Sequence, residues 1–450
     1  MTVTDTSLRA VFRGRRGRLL AGLLLAEFGA AVQSVAYSTV LPLAARELDG
    51  SSLYGATLAS GTLATIGVLA LGPRVVAALS AAWTLIVATG LYLGGVVAAA
   101  AAPAMGWVLA GSVARGIAAG LIAGFGLSAI GGLYEDALRT RVLGMYALIW
   151  LVPSLAGPVF NAAIAVALGW RWAMAWPALV VLVARVLIGR DVAIVPWQPS
   201  GGRLAVGAAV TVLCGLIVAS AAPALPVPGS AAALAGGAVA LAAGLVVATL
   251  ASARILAAAP HHRTLLAFYG LCLAFFGGAG LVALAAIEGL GRGVVAGSVV
   301  VGAGLVAWSI TGLRPPKRDV ATAGLVLLAV SLAVEALALF AVPDATSALA
   351  IAVGAWALAG VGMGLAYPRM FSAAFDDLPP DLVTPAASAV AFAETAGTAV
   401  GSLAGGGLYS LASTAGVAAD RSLTWAFALL AGVAAATLVV SRSRRVRNLE

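Results

Sequence analysis

The 450-residue sequence predicts an all-α integral membrane protein of about 14 transmembrane helices, two six-helix bundles with a two-helix insert. Three observations carry that expectation. Hydrophobic residues make up 62% of the chain, charged residues only 10%, and mean hydropathy is +1.07. A water-soluble fold cannot hide that much apolar surface. Apolar runs recur along the chain at about the ~20 residues needed to cross a bilayer. The basic residues, finally, fall mostly on one side of the predicted spans.

The runs bounded by charge, proline or glycine lie at 19–45, 53–77, 82–101, 105–133, 142–168 and 172–188. Two more follow at 204–222 and 231–250, and six at 265–287, 294–313, 320–342, 346–371, 384–411 and 423–440. The basic N-terminus leads into a run too long for a signal-peptide core, so the first span is expected to be retained. Glycine is abundant, at 55 residues, which suits helices that pack closely where lipid supplies no hydrophobic drive. Connections are short, and the segment 191–203, rich in proline and glycine, is the clearest boundary. The expected organisation is a six-helix bundle over 1–190, a linker with two additional helices over 191–262, and a second six-helix bundle over 263–450.

Of the 26 basic residues, about twenty lie on the side of the N-terminus, among them Arg9, Arg74, Arg139, Arg141, Arg190, Arg314 and Arg442. Arg46, Arg171, Arg292 and Arg421 lie on the other side. The positive-inside rule then places both termini in the cytoplasm. The formal charge of +9 does not signal nucleic-acid binding, because these charges sit at helix ends and form no basic face.

Ionisable groups inside a span cost about 2.5–3.5 kcal/mol at the bilayer centre, so each needs a reason. Glu27, Arg115, Glu335 and Glu394 stand out. Glu27 shares a helical face with Ser34 and Ser38, beside the pair Gln33 and Tyr37. Glu394 is followed by Gly397, Thr398 and Gly401, a small face suited to close packing. Glu335 has aliphatic neighbours apart from Ser331 and reads as a protonated structural acid. Arg185 lies near the end of its span and is expected to snorkel outward. Asn161, three residues after Pro158, is a candidate hydrogen-bonder. Tyr146, Trp150, Phe268, Tyr269, Phe275, Phe276, Trp308 and Trp356 are candidates to line a pocket, with packing as the rival role. Cys214 and Cys272 read as small buried hydrophobes. No phosphate-binding glycine loop with its lysine, metal-ligand spacing or nucleophile–base pair is present, so neither an enzyme nor a cofactor is expected.

Several motifs stand in a telling order. Arg115-Gly116 with Gly120 lies in the fourth run, and Asp136, Arg139 and Arg141 follow it. Gly157-Pro158 marks the fifth, and Gly169-Trp170-Arg171-Trp172 opens the sixth. Gly360 to Pro368 and Ala393 to Gly401 repeat this texture later in the chain. The set resembles the major facilitator superfamily, in particular its fourteen-helix drug:proton antiporters. Between the second and third runs the family pattern has glycine, an acid and several basic residues. Here Gly72-Pro73-Arg74 is followed by no acid.

The resemblance implies a secondary transporter of a bacterial cytoplasmic membrane, working as a monomer with a small-molecule substrate, protons and the lipid bilayer as its partners. It would export amphipathic or cationic compounds in exchange for protons by alternating access. Glu27, Arg115 and Glu394 would carry proton coupling, with Arg115 as the partner of Glu27. Gln33, Ser34, Tyr37, Asn161, Trp150 and Tyr269 would contact substrate. Gly157, Pro158, Arg74, Arg139 and Arg141 would be structural. A symporter, uniporter or lipid exporter of the same fold, and a membrane sensor that does not transport, stay open.

Overall fold

The computed structural model describes residues 11–77, 79–134, 142, 145, 149, 151–195, 206–224, 231–313 and 320–442. Its regular structure there is helical, with no strand. Helices are what a chain in lipid must form, since each backbone N–H and C=O then finds its partner within the segment. The long helices are α1 (Gly14–Glu47), α2 (Tyr54–Ala77), α3 (Ala81–Ala100), α4 (Met105–Leu133) and α5 (Leu151–Leu168). Next comes α6, in two pieces (Trp170–Ala175 and Pro177–Asp191), then α7 (Val206–Ala221) and α8 (Ala231–Ala257). The remainder are α9 (His262–Ala279), α10 (Val294–Leu313), α11 (Ala321–Ala341), α12 (Ala345–Ala373), α13 (Pro380–Thr414) and α14 (Ala419–Arg442).

Among the described residues, 12 helices are long and apolar enough to cross a membrane. Those 12 do not include α2 or α13, which pack on each other, and α13 carries Glu394, Thr395, Thr398, Ser402, Ser410 and Ser413. Val166, Leu179, Val239, Phe340 and Val439 are exposed on outer faces, where lipid is their solvent.

Helix pairings repeat along the chain. In the first half α1 packs on α5 and α6, α2 on α4, and α3 on α4 and α6. In the second half α9 packs on α13 and α14, α10 on α12, and α11 on α12 and α14. The halves meet along two seams, α2 with α13 and α5 with α10. The pair α7–α8 covers the first seam, α7 touching α2 and α8 touching α13. Glycine permits the tightest crossings. A Cβ on Gly116 would overlap the Gly61 carbonyl where α4 crosses α2, and one on Gly360 would overlap the Gly304 carbonyl where α12 crosses α10.

The sequence Gly169-Trp170-Arg171 has a defined structural role. Gly169 adopts φ 94°, a conformation that suits glycine. The turn brings Trp170 Nε1 to donate to Glu47 Oε2 at 2.7 Å, while Arg171 pairs with the other oxygen and donates to the Ala102 carbonyl at 3.2 Å. That ties α6 to the end of α1. At the opposite end of the same two helices, Arg15 and Arg18 both bond Asp191, at 2.8 and 3.1 Å.

Candidate functional site

At the end carrying Glu47 the two halves are in contact. Tyr54, wholly buried at the start of α2, donates to the Gly280 carbonyl at 2.8 Å and meets the Tyr409 ring edge-on at 5.7 Å. Gly55 N donates to Ser410 Oγ at 3.1 Å, and Ser413 Oγ donates to Ser51 Oγ at 3.0 Å. Gly55 and Gly406 approach so closely that a Cβ on either would strike the other's backbone.

Toward the other end the helices present accessible stripes. On α1, which is otherwise mostly buried, Glu27, Ala30, Ser34 and Ser38 are at least partly accessible at helical spacing. On α13, Ala387, Ala391, Glu394 and Thr398 form a matching stripe, and Ala399 to Tyr409 are buried apart from the partly accessible Leu408. The α13 stripe stops near the middle of its helix, and the α1 stripe stops nine residues short of Glu47.

The two acids sit at matching heights on these stripes. Glu27 is thirteen residues beyond Gly14, and Glu394 is fourteen beyond Pro380, each about 20 Å along its helix at the α-helical rise. They are near enough to interact electrostatically across the gap. Tyr367 on α12 donates to Glu394 Oε1 at 3.0 Å. Beside that bond runs a connected aromatic series. Phe268 lies 5.0 Å from Tyr367, Trp308 5.7 Å from Tyr367, Phe275 5.3 Å from Trp308, and Trp356 stacks on Phe275 at 5.2 Å. Phe371 extends the series outward, stacked on Tyr367 at 6.2 Å. Its inner members Trp356, Phe275 and Phe268 are buried, and Phe371 at the outer end is 40% exposed. A carboxyl held by a phenol and flanked by aromatic faces can attract a cation both by charge and through the ring quadrupoles.

Sequence reasoning nominated Phe268, Phe275, Phe276, Trp308 and Trp356, which the fold brings together. Tyr367, Phe371 and Phe375 were missed. Tyr367 and Phe371, at i and i+4 on one face of α12, were the available signal, and Phe375 follows just beyond the helix end. Tyr269 projects toward Thr249 and Ser252 of α8, away from the series on its neighbour Phe268.

The first half has its own polar cluster. Arg115 donates from Nε to the Gly111 carbonyl at 3.2 Å and stands over the Tyr37 ring at 4.0 Å. It therefore meets α1 at Tyr37, ten residues or about 15 Å beyond Glu27. Gln33 is buried, accepting from Tyr92 at 2.9 Å and donating to the Met174 carbonyl at 3.4 Å. Asn161 is wholly buried between α5 and α6, where its Oδ1 accepts from Trp176 Nε1 at 2.8 Å. Gly157 abuts Val35 of α1, and Pro158 faces Gly302 of α10 at the second seam. Arg185 does not snorkel. It is buried on the face of α6 that carries Val181, Ala184 and Ile188, packed on α1 and α3. Cys272 is buried as expected, but Cys214 lies exposed on α7. Trp150, Arg139 and Arg141 lie outside the described residues, as does the side chain of Arg74.

No protein-family model matches the chain. Two curated Mycobacterium tuberculosis proteins, from different strains and each named a probable multidrug-efflux transporter, are 29% identical over 379 residues, covering 77% of this chain and 78% of theirs. Solved structures with a similar fold include a bacterial homolog of the human lysosomal transporter Spinster, inward-facing and unoccupied. It has TM-score 0.62 and 13% identity, and the match covers 96% of this chain and 98% of that one. A POT family transporter in complex with a thioalcohol-conjugated peptide gives 0.66 at 14%, covering 94% of each chain. A D-xylose–proton symporter gives 0.61 at 15%, covering 94% of this chain and 96% of the other. At these identities the structural likeness speaks for the fold. It agrees with the transporter fold that the sequence resemblance implied and leaves the fourteen-helix detail open.

Proposed function

We propose that this chain is a proton-coupled exporter of small amphipathic or cationic compounds, working by alternating access in a bacterial cytoplasmic membrane. The observation that carries the reading is Glu394, held by Tyr367 on an accessible stripe, beside an aromatic series and across from Glu27. A cation and a proton can compete for such a carboxyl, because burial disfavours its charged form while an adjacent cation favours it. Loading the drug then releases the proton, and return of the proton releases the drug.

On this reading all fourteen long helices span the bilayer, with α2 and α13 as the shielded pair at one seam. The units 1–190 and 263–450 rock against each other, and 191–262 contributes the covering pair. The repeated helix pairings support that division. With both termini cytoplasmic, the Glu47 end faces outward and is closed, and the accessible stripes open to the cytoplasm. That is the state that admits a compound from inside the cell.

The test is proton movement in everted vesicles with an acid interior, against a panel of cationic and neutral amphipathic compounds. Wild type should dissipate the gradient on addition of a substrate, and Glu394→Gln at matched expression should not. If only Glu27→Gln abolishes the response, coupling belongs to α1 and the assignment to Glu394 is wrong. Flux that persists without a gradient in both variants would make the protein a uniporter.

A further inference from the structure

The first half buries two cations that the exchange reaction does not use together. Arg185 is 8% exposed and Arg115 9%, and neither is bonded to a carboxylate among the described residues. Arg115 is partly satisfied by the Gly111 carbonyl and the Tyr37 ring. Arg185 is not. Its Nε and Nη1 are sealed from solvent and have no hydrogen-bond partner among the described residues, which leaves three N–H donors unfilled there. Tyr92, itself buried, stands on α3, the helix that packs on both α4 and α6. Tyr92 donates its hydrogen to Gln33 Oε1 and, as a neutral phenol, supplies no negative charge.

An isolated charge in an apolar interior is among the costliest arrangements a fold can hold, and an arginine cannot escape by losing its proton. Such a group persists where an opposite charge joins it for part of the working cycle. Arg185 lies on the face of α6 that packs on α1 and α3, and Arg115 lies on α4, which also packs on α3, so both belong to one half and are away from the Glu394 stripe. We infer that this half contains a binding site for a small monovalent anion, a halide ion or the carboxylate of a small organic acid, with Arg185 as its principal ligand. Arg115 and Tyr92 form its wall. The site is independent of proton exchange at Glu394 and would stand if that reading failed.

Purified full-length protein in lipid nanodiscs would be heated in sodium gluconate, with chloride or benzoate replacing gluconate at constant ionic strength. Gluconate, bulkier and more strongly hydrated than either replacement, serves as the blank. A saturable rise of about 1–3 °C in the unfolding midpoint is expected with at least one replacement. A rise with chloride alone identifies a halide site, and one with benzoate alone a carboxylate site. In Arg185→Gln, which removes a buried charge and should fold at least as well, the rise should vanish. Chloride and benzoate NMR line broadening of the wild type gives a second readout that does not depend on the variant. A flat midpoint and unbroadened lines with both anions, or an equal rise in Arg185→Gln, would overturn the inference.

Discussion

Tyr367 and Glu394 form a pair in which the phenol fixes which way the carboxyl faces. The bond from Tyr367 to Glu394 Oε1 spans 3.0 Å. A net hydrogen bond is worth about 0.5–1.5 kcal/mol, so Tyr367→Phe should weaken binding of a cationic substrate by up to about tenfold. A neutral compound of the same shape should be unaffected, because Tyr367→Phe keeps the ring that stacks with Phe371. Quenching of protein fluorescence by a matched cationic and neutral pair would read this directly. Equal losses for both compounds would assign Tyr367 to packing alone. Glu335, by contrast, is 1% exposed with Oε1 unpartnered, away from both stripes, consistent with a structural acid.

At the scale of elements, small residues decide how near two helices come. The crossings Gly61–Gly116 and Gly304–Gly360 occur in corresponding helix pairs of the two halves, which are thereby pinned in the same way. Gly116→Val places a branched side chain against backbone that cannot withdraw without separating α2 from α4. Overpacking of this kind costs about 1–3 kcal/mol or more, seen as a lower unfolding midpoint in detergent. Gly94→Ala on α3 is the control. Nothing lies within 4 Å of its added Cβ, and alanine favours helix by up to about 1 kcal/mol. A Gly116→Val midpoint equal to wild type would mean that the crossing is looser than described. The ends of α1 and α6 are also fastened twice, by Glu47 with Trp170 and Arg171 and by Asp191 with Arg15 and Arg18. These two helices should move as one body.

For the whole molecule, closure at the Glu47 end rests on a few contacts between halves: Tyr54 with Gly280, Gly55 with Ser410, and Ser51 with Ser413. On the proposed alternating-access cycle, all of them break together. The Ser51 and Ser413 hydroxyls are 3.0 Å apart, so cysteines at both positions, with Cys214 and Cys272 replaced, should oxidise to a disulfide. The crosslinked protein should lose transport and recover it on reduction. Transport that survives complete crosslinking would show that this end need not open. The α7–α8 pair lies along the same seam, and Thr414 Oγ1 donates to the Pro223 carbonyl at 3.4 Å, so the covering pair is joined to this contact.

Composition, run length and charge asymmetry were enough to read a helical membrane protein, because lipid imposes helix and span length on any chain that crosses it. The buried acids and most of the aromatic series were legible for a related reason, since polar groups in apolar runs are costly and conspicuous. What the sequence could not supply was partners. Arg115 was expected beside Glu27 and instead rests on Tyr37, while Asn161, expected as a cavity hydrogen-bonder, is enclosed by Trp176. Arg185, expected to reach outward, is sealed beside Tyr92. Helical periodicity assigns each residue to a face, but which face meets which helix is set by contacts between residues far apart in the chain. Tyr54 and Gly280 are separated by 226 positions, and only the packed fold could bring them together.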